Sequence, residues 1–188
     1  MATVNESASR QEPSISRHGT RQPSLDLLVV IDSSEPSSRA LRYLADFFAT
    51  RRDVRFCLTY LTPHLPPALL ESGGAEQPER EERIEAALRE AQQRWVAAAS
   101  RASLDVIRRA SATLYRAGAD VAAVTSCETS PFDNRSPAEE LLIVAEQQRC
   151  RTIVVGHSAH SWFRSFTGGH LAEHLVQHAK GLTIWVVD

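Results

Sequence analysis

A chain of 188 residues with 43% hydrophobic content has length for one domain with a real core and some surplus. A net charge of −2 with no long basic run argues against an electrostatic nucleic-acid binder. Three scattered cysteines (Cys57, Cys127 and Cys150) without CxxC or zinc-like spacing argue against a disulfide framework, and with no signal-peptide or membrane-span pattern the expectation is a soluble cytoplasmic protein in a reducing compartment.

Residues 1–24 are polar and almost free of large apolar side chains, so burial cannot offset the entropy of ordering them. A disordered tail is predicted there, with one domain over 25–188. "LDLLVVID" (25–32) is a continuous apolar run ending in an acid, the pattern of a central parallel strand buried on both faces. The serines and proline of "SSEPSSRALRYLADFFAT" mark a helix start, and Ala40, Leu41, Leu44, Ala45 and Phe48 form its apolar stripe. "VRFCLTYLTP" (54–63) reads as a second strand, and the Ala/Glu/Arg-rich stretch from about Glu79 to Ala117 as a long helix with a break near Ser100–Ser103.

"ADVAAVTSC" (119–127) reads as a third strand. "SPAEELLIVAEQQR" opens on a capping box, with Ser136 as N-cap, Pro137 in the first helical position and Glu139 in the third. "RTIVVG" is a fourth strand, 169–179 a last helix and "LTIWVVD" a fifth strand. Strands alternating with helices predict an α/β fold with a doubly wound, five-stranded parallel sheet of the Rossmann-like, flavodoxin-like kind. Ligands of such sheets bind beyond the carboxyl ends of the strands at the topological switch point, which is where Asp32 and Gly156 fall.

The residues of "VVIDSSEPSSRALRYLADF", "SPAEELLIVAEQQRCRTIVVG" and the C-terminal "VVGHSAHSWFRSFTGGHLAEH" resemble the universal stress protein domain across about residues 25–188. The resemblance implies strand order 3-2-1-4-5 and homodimers pairing through the last strand. It also implies a regulatory module in stress response, of which some members bind ATP, with magnesium accompanying it, and others do not. The family's phosphate-binding signature is Gly-x-x-Gly, nine residues, then Gly-Ser or Gly-Thr. Here Gly156 and Gly169 match, Ala159 replaces the second glycine, His170 replaces the hydroxyl residue, and Arg164 keeps a basic position of the intervening loop beside Phe163 and Phe166. Trp162 stands where many members have another glycine. Asp32 matches the acid that meets the nucleoside, with Ser33 beside it, and Tyr60 falls near the second-strand position that meets adenine. The cofactor-binding candidates are therefore Asp32, Ser33, Tyr60, Gly156, Ala159, Arg164, Gly169 and His170; no catalytic residue is assigned.

A glycine cradle works because bare backbone N–H groups approach phosphate oxygens and glycine tolerates positive φ. A Cβ at 159 adds strain of about 1–2 kcal/mol if φ there is positive. Losing a hydroxyl donor at 170 costs about 0.5–1.5 kcal/mol. At about 1.4 kcal/mol per factor of ten, these departures weaken or abolish ATP binding. A helix N-terminus at Gly169, Arg164 and a protonated His170 still favour an anion. The leading reading is a regulatory binding module with an altered nucleotide site. Its alternatives are a slow ATPase in the same cleft, for which no general base or metal-binding carboxylate pair stands out, and an interaction domain whose aromatic loop fills the cleft.

Asp32 also has a plainer reading, as a cap for the next helix. His170, His174 and His178 share one helical face at spacing four, a metal-ligand arrangement, but they flank the apolar stripe like a solvated, pH-responsive edge, and no metal ligand is assigned. Cys57 and Cys127 are expected on neighbouring strands, as buried small hydrophobes or as redox sensors. Trp185 is either core or dimer seam.

Overall fold

This computed structural model describes residues 24–62, 65–70, 78–129, 135–157 and 171–188. Five parallel strands, β1 (Leu25–Ile31), β2 (Val54–Tyr60), β3 (Val124–Glu128), β4 (Thr152–Gly156) and β5 (Thr183–Val187), form one sheet in the order β3-β2-β1-β4-β5. The alternation of a strand sends successive side chains to opposite faces, and both faces of β1 are buried. Leu27, Val29 and Ile31 join Phe56, Leu58 and Val154 under helices α1 (Glu35–Phe48) and α2 (Pro78–Arg116). Leu28 and Val30 join Cys57, Ile153 and Val155 under α3 (Pro137–Gln147) and α4 (Leu171–His178).

The helix ends explain where each element stops. Ser34 caps α1 by accepting from the Ser37 N–H at 3.3 Å, with Pro36 in the first turn. The capping box of α3 is present in full: the Glu139 N–H donates to Ser136 Oγ at 3.3 Å, and the Ser136 N–H donates to Glu139 Oε2 at 2.9 Å. α2 ends in a Schellman turn, with the Gly118 N–H on the Tyr115 carbonyl and the Ala119 N–H on the Leu114 carbonyl. Gly118 takes φ +102°, which a side chain would resist.

Three boundaries differ from the sequence reading. α2 runs unbroken through Ser100–Ser103, because Ser103 is turned inward and 2% exposed, a small residue at a helix contact rather than a breaker. The third strand starts at Val124, not Ala119, because the Asp120 carboxylate accepts from the Ala122 N–H at 2.9 Å and winds Val121–Ala123 into a 3-10 turn. The second strand ends at Tyr60 rather than Pro63. Among the described residues, no helix is long and apolar enough to cross a membrane. The tail predicted for 1–24 lies, but for Ser24, outside the described residues.

Candidate functional site

The carboxyl ends of β1, β2 and β4 converge on the switch point between β1 and β4, and this places Asp32, Ser33, Tyr60 and Gly156 together. Asp32 follows β1 directly and is 7% exposed. Its Oδ1 accepts from the Ser34 N–H at 2.8 Å, while its own N–H donates to Ser37 Oγ at 3.0 Å. The carboxylate therefore shapes the turn into α1, although Ser34 is the cap itself. Its exposed neighbour Ser33 carries a hydroxyl on the rim.

Tyr60 pairs in register with Ile31 and is half-buried against the α1–α2 core. Burial first, and then the negative charge of Asp32, raise its phenol above the ordinary tyrosine value. The charge of one candidate nucleoside-facing residue thus acts on the other.

Gly156 has a reason of its own. A Cβ at this position would sit 2.5 Å from the Pro36 carbonyl carbon and oxygen and 2.7 Å from the Ser37 nitrogen. The first turn of α1 lies against the end of β4, and only a glycine lets it close. Ala159, Arg164, Gly169 and His170, with Trp162, Phe163 and Phe166, lie outside the described residues.

From Asp32 and Ser33 a groove of about 340 Å³ runs between α1 and α2. Its polar walls are Ser37, Ser38, Arg42, Arg109, Thr113 and Arg116. Arg42 is paired with Glu35 at 2.7 Å, whereas Arg109 and Arg116 donate through Nε to carbonyls of their own helix, Asp105 and Ala112. The sequence reading missed these α2 residues, because their contribution depends on how α2 packs beside α1. The recurrence of Arg109, Thr113 and Arg116 at spacings of four and three, one helical face, was the available signal.

The histidine face is solvated where it is described: His174 and His178 are exposed and stack with centroids 6.1 Å apart, and His178 Nδ1 lies 2.9 Å from the His174 carbonyl oxygen. Trp185 is half-buried, its ring 5.4 Å from that of Phe48 under α1.

Residues 26–187 match the sequence profile described as the universal stress protein family. The chain belongs to that family. No curated protein sequence matches it. Among solved structures it is similar to a protein of this family from Burkholderia pseudomallei, at 20% identity and a TM-score of 0.54 over 88% of this chain and 97% of the other. It is also similar to a universal stress protein from Archaeoglobus fulgidus solved in complex with dAMP, at 16% identity and 0.51 over 88% and 99%. A universal stress protein solved in complex with cAMP matches at 15% identity and 0.50 over 87% and 95%. At these identities the structural likeness establishes the fold.

Proposed function

We propose that this universal stress protein is a regulatory binding module for an adenine nucleotide, with a site whose phosphate end is altered. The observation that carries the reading is the meeting of Asp32, Ser33 and Tyr60 at the carboxyl ends of β1 and β2, beside Gly156, at the mouth of a groove walled by hydroxyls and arginines. A buried carboxylate is an acceptor for sugar hydroxyls or an exocyclic amine, serine hydroxyls are donors to oxygen, and guanidinium groups suit phosphate. That donor set fits a nucleotide. Two structural relatives were solved with dAMP and cAMP, which supports the same ligand class here.

The alteration is read from the sequence: Ala159 and His170 stand where the family signature has glycine and a hydroxyl residue. Magnesium would accompany the phosphates of ATP, supplying charge neutralisation when bound; Asp32, Ser33 and Tyr60 would hold the nucleoside end. The edge strand β5, with Val186 exposed, supports pairing of two copies along that edge.

Calorimetric titration with ATP and magnesium tests the alteration. The wild-type protein is expected to bind at least about tenfold more weakly than an Ala159→Gly, His170→Ser double variant, the combined effect of the two departures. Equal affinities would mean that the departures are tolerated and the site is not altered. Binding by neither protein would remove the nucleotide from the reading.

A further inference from the structure

The three cysteines, scattered in sequence, converge beneath the opposite face of the sheet. Cys57 on β2 and Cys127 on β3 bring their sulfurs to 3.0 Å. Cys150, between α3 and β4, belongs with Cys57 to the α3–α4 core and lines the same cavity. All three are free thiols. A buried cysteine standing alone is ordinarily an inert small hydrophobe; a pair whose sulfurs touch has redox chemistry open to it.

A second observation gives them access. A cavity of about 150 Å³ enters from the amino ends of β1 and β2, where Arg55 pairs with Asp26, and reaches Cys57 and Cys150 between Thr125 and Gln148. A water molecule takes up about 30 Å³ of liquid, so this space admits a molecule of two oxygens and excludes a tripeptide disulfide. The electrostatics agree. Hydrogen bonds from Cys127, Cys150 and the Thr125 hydroxyl hold the Cys57 thiol below its ordinary value. The bond to Cys57, burial and the charge on Cys57 push Cys127 and Cys150 up. Of the touching pair, Cys57 is the one that lines the cavity, so it is the sulfur an entering oxidant meets.

We propose that Cys57 and Cys127 form a thiol site oxidised by hydrogen peroxide, entering through the cavity beside Cys150. The Cys57 thiolate attacks one peroxide oxygen, the O–O bond breaks, and the departing hydroxide takes a proton to leave as water. The resulting sulfenic acid is attacked by the Cys127 sulfur; the S–O bond breaks, a second water leaves with the thiol proton, and a Cys57–Cys127 disulfide remains. Two thiols lose two electrons and one peroxide becomes two waters. Cys127 sits in register opposite Thr59, two places beyond the partner of Cys57, so closing the bond draws the edge strand β3 along β2.

The test is thiol mapping on the full-length, reduced, folded protein after exposure to hydrogen peroxide, followed by alkylation and tryptic digestion. The expected product is a disulfide joining peptide 56–80 to peptide 117–135, with Cys150 recovered alkylated. Cys57 should react about tenfold faster in the folded protein than in urea, the reverse of what burial alone would give. In a Cys127→Ser variant, a dimedone adduct should appear on Cys57. Recovery of Cys57 as a free thiol, faster reaction in urea, or a disulfide joining Cys57 to Cys150 would overturn the assignment; the wild-type mapping decides even if the variant does not fold.

Discussion

Gly156 is the residue at which two accounts of one position part. The family signature makes it the first glycine of a phosphate cradle, while the structure gives it a packing duty, because α1 starts where a Cβ would be. The backbone of Pro36 and Ser37 cannot swing aside as a flexible side chain would, so overpacking is relieved only by moving the helix. Gly156→Ala is expected to destabilise the ligand-free protein by about 1–3 kcal/mol, read from the urea midpoint. An unchanged midpoint would contradict the packing duty. Asp32 is similar in kind: its bond to the Ser34 N–H makes it part of the turn, and its negative charge raises the Tyr60 phenol. Both duties could be anticipated for Asp32, since an acid after a buried strand suggests a turn-former as readily as a ligand. The packing duty of Gly156 could not, because it depends on how closely α1 approaches β4.

At the scale of elements, the ends of α2 and α3 make a natural comparison. α2 and α3 both finish in Schellman turns, the second with the Cys150 N–H on the Ala145 carbonyl at 2.8 Å and the Arg149 N–H on the Glu146 carbonyl at 3.0 Å. α2 has Gly118 in the left-handed position, but α3 has Arg149 there, at φ +57°. An L side chain in that region carries strain of about 1 kcal/mol that glycine lacks. Arg149→Gly is therefore expected to raise stability by about 0.5 kcal/mol after the added flexibility of the unfolded chain is counted. A lower urea midpoint would contradict this.

Capping chemistry was legible in the sequence where it is local: Ser136, Pro137 and Glu139 announce α3 within four residues. The long helix was legible in extent but not in continuity, since Ser100–Ser103 looks like a break until the inward turn of Ser103 is seen. The start of β3 was misread because Ala119–Ala123 is apolar enough for a strand, and a single Asp120 side-chain bond decides otherwise.

For the whole molecule, the parallel α/β architecture was legible from alternation, because each apolar run has the length and composition of a strand buried between two helix layers; the strand order came from the resemblance to the family. What the sequence concealed was proximity across the sheet. Cys57 and Cys127 were expected on neighbouring strands, but the 3.0 Å approach of their sulfurs and the position of Cys150 beside the same cavity were not legible, and the arginines of α2 become walls of a groove only when α1 lies beside them. The two regions occupy opposite faces of the sheet, the groove on the side of α1 and α2 and the thiols on the side of α3 and α4. Redox chemistry and nucleotide binding can therefore be tested independently.

The claim on which the functional account rests is that the carboxyl ends of β1 and β2 receive a nucleotide. It is tested most directly by recording the backbone amide correlation spectrum during a titration with ATP and magnesium to a few times about 1 mM, a range that detects even binding worth only about 4 kcal/mol. The account predicts progressive shifts at residues 31–38, at Tyr60 and at Gly156, with the amides around Cys150 unmoved. Shifts confined to another part of the domain, or none at the highest concentration, would contradict it.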